Sequence, residues 1–224
     1  MTKAVFFDVD FTLIYPGPTF QGEGYQAFSA KHGIPVDASR FATAVTGAAP
    51  LLDHREESEY HEDIFVAYTR SIIEGMGGSG DRLDACAREI YAEWAACHHF
   101  HLYDDVEPAL RALAADGIKI GLISNSHRRL AEFQSHFELE GLIAGAISSS
   151  DHGFMKPHPS IFKAALRLVD VEPSEAVMVG DNIRQDVEGA LNAGMRAVLL
   201  KRDGGLAPDG IQVIRSLQDL PAVL

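Results

Sequence analysis

The sequence is poor in cysteine and in positive charge, and it has no long apolar run. Cys86 and Cys97 are the only two cysteines among 224 residues. On one helix they would share a face about three turns apart, too far to bridge, so both are expected to be small buried hydrophobes. Lys and Arg number 19 against 32 Asp and Glu, a net charge of −13. That balance argues against a nucleic-acid backbone as the main partner, because phosphate binding wants a basic surface. No stretch approaches the roughly 20 apolar residues of a membrane span. The opening residues, Met1 to Val5, lack the basic segment, apolar stretch and small-residue cleavage site of a secretory leader. The expectation is a soluble cytoplasmic protein, a monomer or a dimer, with no nucleic-acid or membrane partner. An apolar fraction of 46% is enough for a full core.

Apolar runs recur in order. Ala4-Val5-Phe6-Phe7 is continuous rather than alternating, which fits a strand buried on both faces. Similar runs cover Ile118–Ile123, Ala144–Ile147, Ala176–Val179 and Ala197–Leu200, with Ile211–Ile214 as a short last strand. Helical patterns over Val106–Asp116, Leu130–Phe137, Ser160–Val169 and Asp186–Ala193 alternate with them. That alternation spells crossover units and a parallel sheet. Gly117, Gly141 and Gly194 stand where left-handed caps would end these helices. From about Pro16 to His101 the pattern changes. Helical segments at Gly24–His32, about Glu57–Glu74 and Arg82–His98 take over, and Tyr60, Ile64, Ala67 and Tyr68 share one face of the second. Gly75–Gly80 forms a joint between the last two. A helical insert thus interrupts an α/β domain after its first strand.

Four polar signatures follow the apolar runs. Asp8 and Asp10 leave the first strand on one side, with Thr12 able to hydrogen-bond within the turn. Two neighbouring acids need a cation or a proton to offset their repulsion, and Mg²⁺ is commonly held by one or two carboxylates. Ser124 ends the second long run, beside Asn125. It either holds phosphate oxygens with adjacent N–H groups or caps the following helix, and both roles are compatible. Lys156 precedes two prolines that stiffen its loop, and a fixed ammonium near acids can reach a phosphoryl oxygen. His152 and His158 are read as loop residues rather than ligands. Gly180-Asp181-Asn182 ends a further strand, with a glycine that permits close approach. Asp186 enters the next helix, where an acid is also favoured by the helix dipole.

In these residues the chain resembles the haloacid dehalogenase superfamily, in its phosphatase branch with a helical cap of the first class, similar to phosphoglycolate phosphatases. The resemblance implies a Rossmann-like three-layer core with a parallel sheet of order 5-4-1-2-3, at 1–15 and 103–224, and an inserted cap at 16–102. It implies Asp8 as nucleophile and metal ligand, and Asp10 as acid/base, with its backbone carbonyl on Mg²⁺. Ser124, Asn125 and Lys156 would hold the phosphoryl group, and Lys156 would also steady Asp8. Asp181 would ligate the metal, while Thr12, Asn182 and Asp186 would support the site. The family usually has glycine where this chain has Phe11. Dehalogenases of the superfamily typically lack the second aspartate, because a departing halide needs no acid whereas an alkoxide does. The expectation is therefore a Mg²⁺-dependent phosphatase acting on a small phosphorylated metabolite through an aspartyl-phosphate. A sugar phosphomutase on the same core, or a non-catalytic binding protein of this fold, stays open. Tyr15–Pro18 and Leu102–Asp105 are the candidate hinges. Thr46–Tyr60, with His54, Arg55 and Glu59, is either the surface that selects substrate or a solvated, charged helix start.

Overall fold

The computed structural model describes residues 1–53, 58–205 and 209–224. His54 and Arg55 of the candidate selecting surface lie outside the described residues. In chain order the elements begin with β1 (Ala4–Phe7) and β2 (Ile14–Pro16), then α1 (Gly22–Lys31), α2 (Phe41–Ala48), α3 (Pro50–Asp53), α4 (Glu62–Gly75) and α5 (Leu83–Glu93). There follow β3 (Phe100–Leu102), α6 (Val106–Ala115), β4 (Lys119–Ser124), α7 (Leu130–His136), β5 (Ile143–Ser148), α8 (Ser149–His152) and α9 (Pro159–Val169). The chain ends with β6 (Ala176–Gly180), a π-helical turn (Ile183–Glu188) running into α10 (Gly189–Asn192), β7 (Arg196–Leu200), β8 (Val213–Ile214) and a last 3-10 turn (Leu217–Ala222). Two compact units result: Met1–Tyr15 with Leu102–Leu224, and Pro16–His101.

In the first unit six parallel strands lie in the order β5-β4-β1-β6-β7-β8. Counting the five long strands along the chain, this is the expected order 5-4-1-2-3, with β8 added at the far edge. β1 is central and wholly buried, which is why its sequence is apolar without alternation. Ala4 and Phe6 face a core completed by Ile161, Phe162 and Leu166 of α9 and by Met178 of β6. Burying a phenylalanine such as Phe6 or Phe162 contributes roughly 1.5–3 kcal/mol. Gly121 on β4 has no side chain because a Cβ there would lie 2.3 Å from the Phe6 ring. α6 packs against β4 and against the C-terminal turn. β2 and β3 pair in a separate two-stranded sheet.

In the second unit α4 packs against α2 and α5. Its buried residues are Ile64, Val66, Thr69, Ile72 and Ile73, so the expected face shifts: Tyr60 precedes the helix and Ala67 is exposed. α2 was not anticipated; it approaches α4 closely because Gly75 has no Cβ, which would sit 2.7 Å from that of Ala44. The glycine joint holds, with Gly77 and Gly80 at φ 101° and 116°. α5 ends at Glu93 rather than at His98, and Cys97 sits in a following 3-10 turn. Cys86 is buried as expected, but Cys97 is only half-buried. Gly117 and Gly194 adopt the left-handed conformation after α6 and α10. After α7 that conformation is taken by Glu138, and Gly141 serves the turn into β5 instead. His152 ends the short α8 rather than lying in a loop, whereas His158 lies in the loop before α9 and caps it. No helix among the described residues is long and apolar enough to cross a membrane.

Candidate active site

The sheet register assembles the site. Phe7 of β1 pairs with Leu122 of β4 and with Val179 of β6, so the carboxyl ends of three central strands finish side by side. In open parallel sheets this edge is where ligands bind. Asp8 follows β1 with its N–H donating to the Val179 carbonyl at 2.9 Å. Ser124 closes β4, and Asp181 follows β6.

Lys156 reaches these strand ends from the segment before α9. Its backbone is clamped by Asn125: the Lys156 N–H donates to Asn125 Oδ1 at 2.7 Å, and Asn125 Nδ2 donates to the Lys156 carbonyl at 2.9 Å. The Lys156–Pro157 peptide is cis. The Lys156 ammonium donates to Asp8 Oδ1 at 2.6 Å and to Asp186 Oδ1 at 2.7 Å, with its side chain only 1% exposed. Asp186 lies in the π-helical turn, and its second oxygen accepts from the Asn182 N–H at 3.0 Å. Asn182 caps the turn by accepting from the Gln185 N–H. A Cβ on Gly180 would stand 2.2 Å from the Asp186 carboxylate, so the glycine there makes room for the acid.

Asp8, Asp181 and Asp186 each offer one oxygen, and these atoms lie within 4.8 Å of one another. The expected metal set named Asp10 instead of Asp186. The Asp10 carboxylate turns to Arg128, whose Nη1 donates to Oδ1 at 2.8 Å. Burial, followed by repulsion from neighbouring carboxylates, pushes Asp181 up to about 8. Burial likewise raises Asp8 to about 7 against the pull of Lys156. Burial works against the Lys156 charge, but Asp186 and Asp8 together hold it above its ordinary value. Three carboxylates facing one cation are under-neutralised, and hard oxygen donors of this kind fit Mg²⁺. The sign of the pH dependence follows. The metal-free folded chain holds protons on Asp8 and Asp181 that the unfolded chain releases near pH 4, so its stability falls as pH rises from there through about 8. Thermal melts should show Mg²⁺ raising Tm by several °C at pH 8 and by much less at pH 5. An equal gain at both values would count against this site as the one that takes the metal.

Three details were not visible in sequence. Arg128 is a fully buried arginine at 1% exposure, paired with a carboxylate at the mouth of the site. Arg202 grips Asp105 with two nitrogens at 2.9 Å and donates to the Thr12 carbonyl, which ties the turn after β1 to the segment after β7. Burial disfavours the Asp105 charge, but Arg202, the Leu217 N–H and Ser216 hold its carboxyl below the usual range. Thr12 corrects an expectation, since its hydroxyl is buried and has no hydrogen-bond partner among the described residues. The turn is closed by its backbone instead, through Phe11 N–H to Ile14 O at 2.7 Å and Leu13 N–H to Val9 O at 2.8 Å. Phe11 takes φ 64°, a left-handed conformation that glycine adopts without strain and a side chain does not. Its ring is 46% exposed. The Ser124 hydroxyl is buried against that of Ser126 at 2.8 Å. The Asn125 side chain is taken up by the Lys156 backbone and by Gln185, so its backbone N–H is what remains for an anion.

The chain belongs to the haloacid dehalogenase-like hydrolase family, whose model matches residues 2–194. It is 30% identical to a glyceraldehyde 3-phosphate phosphatase of Pyrococcus furiosus, over 89% of this chain and 80% of that protein. It is 28% identical to the rat (Rattus norvegicus) N-acylneuraminate-9-phosphatase, over 99% of this chain and 93% of that one. Among solved structures, a 2-haloacid dehalogenase from Pseudomonas syringae is 27% identical, with 100% of this chain and 98% of that chain covered and a TM-score of 0.66. The chain is an enzyme of the hydrolase class, and the names of its relatives span two chemistries.

Proposed function

We propose that the protein is a Mg²⁺-dependent phosphatase that hydrolyses a small, soluble phosphomonoester in the cytoplasm through an aspartyl-phosphate. The observation that carries this choice is the second carboxylate, Asp10, standing two residues past Asp8 and held at one oxygen by the buried Arg128. An acid in that place serves an alkoxide leaving group and is superfluous for a halide. The phosphatases of Pyrococcus furiosus and rat fit the same reading.

In this mechanism an Asp8 oxygen attacks phosphorus in line, and the bond to the ester oxygen breaks as Asp10 gives that oxygen its proton. Asp10 then takes a proton from the water that attacks the aspartyl-phosphate, which regenerates Asp8 and releases phosphate. Lys156, the Ser124 hydroxyl and the Asn125 backbone N–H hold the phosphoryl oxygens. Asp8, Asp181 and the Asp10 carbonyl would hold the metal, with Asp186 anchoring Lys156 beside them. Bound Mg²⁺ supplies positive charge against the oxygens of the transferring group. Arg128 fixes one oxygen of Asp10 and leaves the other for the proton. The helical unit Pro16–His101 is the cap in this reading and selects among esters.

A panel of phosphorylated metabolites, with phosphate release as readout, tests the class. Halide release from 2-haloacids, or isomerised product with little free phosphate, would replace the reading with a dehalogenase or a mutase. Within the class, Asp10→Asn should slow alkyl esters by about 10²–10⁴-fold and aryl phosphates, whose leaving groups need little protonation, far less. Arg128→Met should reproduce that selectivity in weaker form with KM nearly unchanged. Equal losses on both ester types would remove the acid role from Asp10.

A further inference from the structure

Away from the strand ends, one other group of metal-ligating side chains converges among the described residues: Glu93, His98 and His99, all within the unit Pro16–His101. Glu93 is the last residue of α5. The chain then reverses, with the Ala96 N–H donating to the Glu93 carbonyl at 2.9 Å and the His99 N–H to the Ala96 carbonyl at 3.2 Å. The 3-10 turn Cys97–His99 therefore brings two imidazoles back to the helix end. One donor atom from each of the three residues lies within 4.8 Å of the others.

His99 Nε2 and Glu93 Oε2 stand 3.0 Å apart. Two ligands on one tetrahedral zinc, at bond lengths of about 2.0–2.1 Å, are separated by roughly 3.3 Å, so a small outward shift converts this pair into an edge of a coordination tetrahedron. His99 Nδ1 lies 3.1 Å from the Thr19 hydroxyl. Donation from Nδ1 to that oxygen leaves Nε2 with its lone pair toward Glu93, the orientation that metal-bound histidines are usually given by a partner on the other nitrogen. The His99 ring is also held edge-on by Phe20 at 5.5 Å. An ordinary Glu93–His99 ion pair explains two of the three groups. It does not explain the exposed His98 ring, centred 4.0 Å from that of His99. Two nitrogens and one oxygen are poor ligands for Mg²⁺, which takes oxygen, and good ones for Zn²⁺ and its neighbours.

We propose that Glu93, His98 and His99 form a second metal site, of the Zn²⁺ class, with its fourth position open to water. A metal there ties the end of α5 to the turn before β3. The site is independent of the strand-end carboxylates and of the reaction they carry out.

The test uses the full chain saturated with Mg²⁺, titrated with Zn²⁺ by calorimetry and with Co²⁺ by visible absorption. Trp94, the single tryptophan of the chain, adjoins Glu93 and packs on Phe20 at 4.6 Å, so Cu²⁺ quenching of its fluorescence gives a third signal. One Zn²⁺ per chain is expected. His98→Gln, at an exposed position that folding does not depend on, should weaken it by on the order of 100-fold, and Thr19→Val by about tenfold. Asp181→Asn should leave it unchanged. The proposal is overturned if no stoichiometric Zn²⁺ binds, if His98→Gln and His99→Gln bind as the unaltered chain does, or if Asp181→Asn removes the binding. None of these readouts depends on hydrolysis, so failure here leaves the phosphatase reading standing, and the reverse also holds.

Discussion

Replacing Asp8 by Asn is expected to remove more than about 10⁴-fold of the turnover of every ester, aryl or alkyl, because the carboxylate that is the nucleophile of the proposed mechanism becomes an unreactive amide. The substitution is nearly isosteric at a position 8% exposed, and Lys156 keeps its second partner, Asp186, at 2.7 Å. The fold should therefore survive. Because burial already disfavours charge on Asp8, the metal-free Asn variant should melt no lower than the parent at pH 8. Loss of activity with Tm retained separates chemistry from unfolding. Residual turnover well above that floor, with deamidation excluded by mass spectrometry, would mean that water rather than Asp8 attacks phosphorus.

Lys156→Met should act on folding and on catalysis together. The ammonium sits between two buried carboxylates at 2.6 and 2.7 Å, and among the described residues no other cation hydrogen-bonds to either. Removing one member of such a buried set costs about 3–5 kcal/mol, since the charges left behind are neither hydrated nor paired. Methionine fills the volume of the side chain, so the loss is electrostatic rather than a cavity. The deficit should be largest near pH 8 and shrink toward pH 5, where protonation relieves Asp8, and Mg²⁺ should recover part of it. Denaturant unfolding at the two pH values, with and without Mg²⁺, reads this directly. Turnover measured under folded conditions should still fall by about 10²–10³-fold, because a fixed positive charge at the phosphoryl oxygens is missing. A variant as stable as the parent at pH 8 would show that Lys156 is not the counter-ion of this cluster.

The parts of the fold legible in sequence are those set by local composition. Ala4–Phe7 and Ala176–Val179 read as central strands because both faces are buried, and the acids that follow them mark the candidate site. The helix Phe41–Ala48 is not legible in sequence, because a short run of small residues without a charged end carries little pattern. Tyr60 continues the spacing of α4 in sequence, although the helix begins only after His61. At the site, residue types and order were readable, but partnerships were not. Asp10 meets Arg128, 118 positions away, and nothing in an Arg128-Arg129 pair shows which one is buried. Asp186 could be read as a dipole-favoured acid at a helix start. Only the packing of Gly180 against it reveals a carboxylate turned back toward Lys156. Thr12 looked like a hydrogen-bonding turn residue, yet the backbone closes that turn.

The central claim is that Asp8 carries the phosphoryl group between two half-reactions. The direct measurement is to mix the enzyme with Mg²⁺ and a reactive phosphate ester, quench in acid within the first turnover, and locate the phosphoryl mass by peptide sequencing. The mechanism places it on Asp8, labile to hydroxylamine and missing from Asp8→Asn. Phosphate released in that same interval with Asp8 never labelled, or the label found on another residue, would contradict it.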